Sequence, residues 1–271
     1  MGRKHTLVGP EVQILFTEKV EGDNRQYLET DMEGFAERHP EATEIILSTE
    51  LVDADLSKIV TPSLKKLRLS CPNFTSIDLS PLSICANLTT LFIGGGLEMK
   101  QVDLSGMNYD SLTSIRIDSC KATDIDLSPL EDATVLREII IVDSQLRSID
   151  FTPLRNCHLL NEIDLTNNRL QSVDLAPLSS LKNLSSLRLS GNKFRHIDLG
   201  PLSGGPIKEI ELKSRVLREI DISPLLSCNE LVLFDHSASR LRASSESRGE
   251  NIPLGLRGVL TIFGNHEFRW Y

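Results

Sequence analysis

Residues 163–178 read Ile-Asp-Leu-Thr-Asn-Asn-Arg-Leu-Gln-Ser-Val-Asp-Leu-Ala-Pro-Leu, and the second half of this stretch recurs along the chain. The recurring element is usually a β-branched residue followed by Asp, Leu, a small residue, Pro and Leu, and its fullest form is Ile-Asp-Leu-Ser-Pro-Leu. Its aspartates return every 23–25 residues, at Asp55, Asp78, Asp103, Asp126, Asp150, Asp174, Asp198 and Asp221. A fixed period of this length indicates a solenoid, in which each unit contacts only its neighbours.

A second apolar landmark lies ten to twelve residues before each of these aspartates. Its positions are Ile45, Leu67, Leu91, Ile115, Ile139, Ile163, Leu187 and Ile210. The surrounding pattern is Leu-x-x-Leu-x-Leu, clearest at Leu184, Leu187 and Leu189. Alternation of apolar and polar residues predicts a short strand in each unit, with every second side chain in the core.

This pattern resembles the leucine-rich repeat family over about residues 43–237, or seven to eight units of about 24 residues. The resemblance implies an α/β repeat solenoid, a curved body with a parallel sheet on its concave side. It also implies short helical turns on the convex side and a cap at each end. The asparagine that the family repeats is present at Asn168 and Asn192, and Cys120 is its usual alternative. Pro72, Gly96, Ser144 and Arg215 occupy the same position elsewhere, so we expect a broken asparagine ladder.

The Ser-Pro or Thr-Pro pair after four of the eight aspartates predicts a helical turn. Ser or Thr would accept hydrogen bonds as the N-cap, and Pro suits the first helical position. Ala176 and Gly200 replace the capping residue in two units, where we expect weaker turns. The aspartates themselves would stand about 5 Å apart in a row. We expect each to accept hydrogen bonds from backbone amides of its own turn; mutual repulsion and calcium binding are the alternatives.

Three segments are predicted. Residues 1–42 form an N-terminal cap, with a strand over 11–20 and a helix over 24–39; residues 43–237 carry the repeats; residues 238–271 form a polar loop and a C-terminal cap. In the last segment we predict an exposed loop over 237–251, a strand near 259–263 and packing of Trp270 into the cap. The glycine run 94–96 is interpreted as absorbing the extra residue of the longest unit.

Composition limits the possible functions. The net charge of −9 disfavours a protein that binds nucleic acid through its phosphates. The sequence contains no run of 18 apolar residues and no signal peptide pattern near its start, so we expect no membrane association. The five cysteines are expected to be reduced thiols, with Cys85, Cys157 and Cys228 as core residues, which predicts a cytoplasmic protein. We also expect a monomer.

The sequence contains no pattern typical of a catalytic or metal site. His266-Glu267 lacks the second histidine of a zinc protease, and the six histidines are scattered. We therefore predict no cofactor, no metal and no enzymatic activity.

The predicted function is that of a non-enzymatic scaffold that binds a protein or peptide on the concave sheet, with an apolar centre and a charged rim. The candidate residues point outward from successive strands: Lys66, Arg68, Phe92, Arg116, Ile140, Val142, Asp164, Arg188 and Glu211. Two alternatives remain open. One is a regulatory module that acts in trans on an enzyme such as a GTPase or phosphatase, and the other is a hydrolase whose site lies in the caps.

Overall fold

The computed structural model describes residues 12–20, 23–244, 252–261 and 267–270. Its strands are β1 (Val12–Val20), β2 (Asp23–Glu29), β3 (Ala42–Thr49), β4 (Lys66–Ser70), β5 (Thr90–Gly94), β6 (Ser114–Asp118), β7 (Glu138–Val142), β8 (Glu162–Asp164), β9 (Ser186–Arg188), β10 (Glu209–Leu212), β11 (Glu219–Asp221), β12 (Leu233–His236), β13 (Arg240–Ala243) and β14 (Glu267–Trp270). Its α-helices are α1 (Phe35–Arg38) and α2 (Leu254–Thr261). Neither helix has the length and hydrophobicity of a membrane span within the part of the chain that is described.

Each repeat contributes one strand to a long sheet, as the alternating pattern predicts. The strand order is β12-β10-β9-β8-β7-β6-β5-β4-β3-β1-β2, and neighbouring strands from β3 to β12 are parallel. The register sets equivalent positions side by side: Leu67 pairs with Leu91, Leu91 with Ile115, and Ile115 with Ile139. These aliphatic side chains are at most 1% exposed, so stacking of successive units builds one continuous core.

The cysteines are part of this core. All five are buried thiols, which agrees with the prediction that Cys85, Cys157 and Cys228 are core residues. Burial raises the pKa of Cys71 to about 12 and that of Cys85 and Cys157 to about 11. Thiols held protonated in this way react slowly, since the thiolate is the nucleophile.

Short 3-10 helices cover the other side of the core, which confirms the predicted turns. They are Leu56–Lys58, Ser80–Ile84, Ser128–Leu130, Thr152–Asn156, Ala176–Ser180, Gly200–Leu202 and Ser223–Ser227. In the remaining unit Gly106 stands where six of the other seven units have Pro, and the chain makes a turn there with a φ of 76°.

The aspartate, and not the Ser or Thr after it, supplies the cap of each turn. All eight aspartates of the repeat accept a hydrogen bond through Oδ1 from the backbone N–H two residues later, over 2.8–3.0 Å. Ala176 and Gly200 donate over 2.8 Å like the others. The expectation of weaker turns in these two units was therefore wrong on this point, because a backbone amide is present whatever the side chain.

Hydrogen bonding also lowers the pKa of two of these carboxylates, those of Asp126 and Asp150. The pKa of Asp126 is lowered by hydrogen bonding from Ser128, and this outweighs the repulsion from Asp103 and Asp150 that would raise it. Hydrogen bonding from Thr152 lowers the pKa of Asp150 in the same way. The amide-bonding alternative for the aspartate row is thus favoured over mutual repulsion.

The asparagine ladder is less interrupted than the sequence suggests. Asn168 Oδ1 accepts from the Leu146 amide at 3.2 Å, and Asn192 Oδ1 accepts from Leu170 at 3.0 Å. At the equivalent position Ser144 Oγ accepts from the Cys120 amide at 3.3 Å, so a hydroxyl takes the role of the amide side chain.

The N-terminal cap contains the predicted first strand, but the predicted helix over 24–39 was wrong. Its first part is β2, which pairs antiparallel with β1, and only α1 remains helical after Gly34, whose φ is 65°. Backbone pairing along β1 gives this segment more hydrogen-bond partners than an isolated short helix would have. Tyr27 and Leu28 are consequently 38% and 61% exposed and do not share a buried helical face with Phe35.

The cap is closed by aromatic contacts around Phe16. Its strand β1 pairs with β3 and places Phe16 opposite Ile45. The Phe16 ring is 2% exposed, lies edge-on to Phe35 at 4.9 Å between centroids, and is 4.3 Å from His39. β1 thereby covers the open edge of the first repeat.

The C-terminal cap also differs from the prediction. The strand expected near 259–263 is replaced by α2, and residues 262–263 lie outside the described residues. Pro253 precedes α2, a position at which proline favours helix initiation. Gly255 packs so closely on the Val232–Leu233 backbone that a Cβ would lie 2.9 Å from it.

A second, three-stranded parallel sheet joins β11, β13 and β14. Its strand β13 lies within residues 237–251, where an exposed loop was predicted. The prediction was wrong for this part, since Leu241 and Ala243 are fully buried and hold the segment in the core. Residues 245–251 of that loop are not described. Trp270 pairs with Ala243 through the backbone, whereas the predicted packing of its side chain lies outside the described residues.

Replacing Phe16 with Ala should lower the free energy of unfolding by about 3–5 kcal/mol, since it removes the ring that fills the N-terminal cap. Urea denaturation monitored by circular dichroism measures this change. Tyr27→Ala, at the exposed neighbour of Phe16, should cost clearly less. An unfolding midpoint for Phe16→Ala equal to that of the wild type would contradict the role of β1 as a cap.

Acidification should destabilise the protein. The folded pKa values of Asp126 and Asp150 lie below their unfolded values, so these groups stabilise the fold above the unfolded pKa of about 4, and the contribution disappears as pH falls through the lowered values. Asp150→Asn keeps an acceptor oxygen without titrating and should make this acid-induced loss of stability shallower. The matched change Asp132→Asn should leave the slope unaltered, because only the backbone carbonyl of Asp132 takes part in its turn.

Candidate functional site

The concave face consists of the outward side chains of β3 to β10 and β12. Strand register places its central positions in one row: Ile46, Arg68, Phe92, Arg116, Ile140, Asp164, Arg188, Glu211 and Asp235. Seven of the nine candidate residues lie in this row as the spacing predicts, and six of them are on β4 to β9: Arg68, Phe92, Arg116, Ile140, Asp164 and Arg188. Glu211 follows in the same row, and Lys66 lies in the adjacent row, paired with Glu44 at 2.6 Å.

Val142 does not belong to the face. It was predicted to point outward, yet it is 6% exposed. The next residue, Asp143, has a φ of 51°, so the chain leaves the extended conformation beside Val142. Alternation sets side-chain direction only within a strand, and here the strand ends.

Phe92 is the aromatic centre of the N-terminal half of the face. Its ring is half-buried and not freely exposed, because the Arg68 guanidinium lies over it at 3.9 Å from the ring centroid. The Arg116 guanidinium approaches the same ring to 5.9 Å. Two cations within about 6 Å of one ring hold it by cation–π attraction.

Gly94 makes room for this ring. A Cβ at Gly94 would lie 2.4 Å from a ring carbon of Phe92, a distance that real contacts do not reach. Interpreting the glycine run only as an accommodation of chain length missed this role for Gly94. The spacing Phe-x-Gly on one strand, with both residues on the same side, is the signal that could have revealed it.

Arg116 is oriented by its own strand. Its Nη2 donates to Asp118 Oδ2 at 3.1 Å, and Ser119 Oγ donates to Asp118 Oδ1 at 2.7 Å. Asp118 was not among the candidate residues, but it fixes the direction of the Arg116 side chain. The aromatic ring and its two arginines therefore form a pre-ordered group.

Arg188 is the centre of the C-terminal half. It donates to Glu162 and, at 3.1 Å, to Glu209, and it forms an ion pair with Glu211 at 3.2 Å. Burial opposes the charge of Arg188, but the attraction and hydrogen bonds of Glu162 and Glu209 prevail, and the pKa of Arg188 is raised. Arg188 and Glu211 were predicted from the sequence, whereas Glu162 and Glu209 were not. The register places these two glutamates on the adjacent row of neighbouring strands.

Charge is divided unevenly along the face. Lys66, Arg68 and Arg116 supply positive charge on β4 to β6, next to Glu44 and Asp118. From β7 onward the carboxylates of Glu138, Glu162, Asp164, Glu209, Glu211 and Asp235 outnumber the cations Arg188 and Lys213. One carboxylate oxygen of Asp164 is already hydrogen-bonded within the protein, since its Oδ1 accepts from the Thr166 amide at 2.9 Å. The face is thus aromatic and cationic at one end and acidic at the other.

Metal binding finds no support on this face. Within the described ranges, no three His, Cys, Asp or Glu side chains are arranged so that they could hold a metal ion.

Comparison with known proteins agrees with this architecture. Residues 134–194 match the family model described as leucine rich repeat. A search of curated protein sequences found no match. Among solved structures, the functional domain of InlJ from Listeria monocytogenes, described as including a cysteine ladder, has a TM-score of 0.55 and 19% identity, with 74% of this chain and 45% of that domain covered. This chain therefore spans less than half of that domain, and the likeness shows the fold alone.

Two further internalins of the same organism are similar. InlC2 gives a TM-score of 0.47 with 21% identity over 72% of this chain and 80% of its own. InlF gives 0.39 with 16% identity over 80% of this chain and 69% of its own.

Replacing Arg188 with Gln should lower the free energy of unfolding by about 1.5–3 kcal/mol, because it removes charged hydrogen bonds and leaves three glutamates side by side. Urea denaturation at pH 7 measures the cost, and the difference from the wild type should shrink as added salt screens the ion pairs. The matched control is Arg137→Gln, at an exposed arginine just before β7. A cost that does not change with salt would mean that the ion pairs of Arg188 are not its source.

Proposed function

Because the chain is a leucine-rich-repeat protein, we propose that it is a non-enzymatic scaffold that binds a partner protein through its concave face. The observation that carries the proposal is the group formed by Phe92, Arg68 and Arg116, an aromatic ring held between two cations on the N-terminal half of a regular sheet. Aromatic and arginine side chains are the residues that most often dominate the energy of protein interfaces.

The face is ordered before a partner arrives. Phe92 is held by Arg68 and by the space at Gly94, and Arg116 is held by Asp118. Side chains that are already fixed lose little conformational entropy on binding, so more of the contact energy contributes to affinity. The charged side chains of the face are hydrogen-bonded or ion-paired with one another, and this favours recognition over catalysis.

The dimensions of the face suit a protein. The row from Arg68 to Arg188 crosses five strand intervals, which is about 24 Å at about 4.8 Å per interval. A typical protein interface buries about 800 Å² on each partner, and a patch of that area is about as wide as this row is long. The division of charge favours a partner with acidic groups over β4 to β6 and basic groups over β7 to β10.

A regulatory module that acts in trans on an enzyme would use the same face, and the identity of the partner distinguishes the two roles. We further propose that the protein is a cytoplasmic monomer. Its five buried thiols support a reducing compartment, where thiols persist.

The test compares capture of partners by the wild type and by the double variant Phe92→Ala/Arg116→Ala. A genuine partner should bind the double variant at least about 30-fold more weakly, which corresponds to about 2 kcal/mol at an interface centre. Affinity purification with quantitative mass spectrometry finds the partner, and isothermal titration calorimetry with the purified partner measures the change.

The matched control is Ile84→Ala/Arg137→Ala, which removes one aliphatic side chain and one arginine that are exposed away from the concave face. It should bind like the wild type. Equal affinity of the partner for the wild type and the Phe92 and Arg116 variant would exclude the concave face, and the convex turns or the edges of the sheet would become the candidates.

A further inference from the structure

An open groove of about 1170 Å³ lies at the edge of the sheet where the parallel strands end. Its walls come from the segments that follow β8, β9, β10 and β12, and the lining residues are 167, 171–172, 190–193, 195–196, 213–216 and 237. We call it the edge groove. It is separate from the concave face, because it lies beyond the ends of the strands and not on their outward surface.

A change in the asparagine ladder shapes this groove. Asn192 fills its buried position with hydrogen bonds to Leu165 and Leu189 carbonyls. In the next unit the repeat has Arg215 at that position, and a guanidinium without a buried partner would be costly there. The neighbouring Ser214 is buried instead and donates to the Phe194 carbonyl at 3.0 Å, while Arg215 points into solvent.

The turned-out arginine joins a group of cations on two successive units. Lys193, Arg195 and Arg215 line the groove, are exposed, and form no ion pair with any of the described residues. Lys213 also lines it, but its charge is engaged by Asp235 at 2.5 Å. Three uncompensated cations in one concavity are unexpected in a chain with a net charge of −9.

We propose that the edge groove binds an acidic segment of a partner protein in an extended conformation. The groove crosses four units, or about 14 Å at about 4.8 Å per unit, which matches four or five extended residues at about 3.3 Å each. Arg195 and Arg215 present planar forks that suit carboxylates. The exposed Val216 adds an aliphatic contact on the wall.

Other occupants fit the groove less well. A nucleic acid longer than the groove would run onto the exposed carboxylates of Asp174 and Asp198 that follow these segments in the repeat. Small-molecule pockets are usually enclosed and apolar, whereas this groove is open and Val216 is the one aliphatic side chain among its lining residues.

The probe is an eight-residue fluorescein-labelled peptide of alternating Asp and Glu, compared with the same peptide made of Asn and Gln. Fluorescence anisotropy with the full chain at about 50 mM salt measures binding. The acidic peptide should bind, the neutral one should bind at least tenfold more weakly, and the affinity should fall as salt is raised.

The test variant is Lys193→Gln/Arg195→Gln/Arg215→Gln, and it should bind the acidic peptide at least tenfold more weakly than the wild type. Its control is Lys65→Gln/Arg137→Gln/Lys182→Gln, which removes three exposed positive charges at the opposite, strand-start side of the units. The control should stay within twofold of the wild type. The single variants Arg195→Gln and Arg215→Gln, checked by thermal unfolding, separate a loss of binding from a loss of folding.

Several results would overturn the proposal. Equal weakening by the two triple variants would show that the peptide responds only to net charge. Displacement of the peptide by millimolar inorganic phosphate at constant ionic strength would assign the groove to a single oxyanion. Tighter binding of a twelve-residue oligothymidylate than of the acidic peptide would assign it to nucleic acid. Because the concave-face residues are unchanged in these variants, the outcome is independent of the test with Phe92 and Arg116.

Discussion

The fold depends on burial of an aliphatic row that no single unit can cover. Leu67, Leu91, Ile115 and their equivalents are removed from water only because the next strand stacks on them in register. Burial of each such side chain contributes about 1.5–3 kcal/mol, so the interfaces between units carry most of the stability. The two ends of the solenoid must be closed by other elements, and Phe16 on β1 does this at the start.

Local hydrogen bonds set the path of the chain between these stacked strands. The bond from each repeat aspartate to the amide two residues on begins the turn that returns the chain across the core. Since this bond needs only a carboxylate and a backbone N–H, the turn tolerates Ala176 and Gly200 in place of Ser. The regularity of the sheet, and hence of the concave face, follows from this repetition.

The candidate binding surfaces arise where the repeat departs from its own pattern. Gly94 replaces a side chain and admits the ring of Phe92 between Arg68 and Arg116. Arg215 replaces an asparagine and is turned outward beside Arg195. A strictly regular solenoid would present a uniform surface, whereas these exceptions give the two surfaces different shape and charge.

The sequence by itself determined the period, the strand in each unit, the buried row, the turns and the acceptor role of the aspartates, because each depends on residues close together in the chain. It also placed Arg68 to Arg188 in one row, since the register of equal units is fixed. It could not determine the caps, where β2 and α2 replaced the predicted helix and strand, because the ends lack a repeat and their form depends on which edge they cover. Nor could it show that Val142 is buried, that Phe92 is covered by Arg68, or that Glu162 and Glu209 engage Arg188. Only the tertiary structure decided these contacts, because each joins residues about one repeat apart or depends on where a strand ends. The side chains of the neighbouring units then determine whether a residue has room and a charge partner.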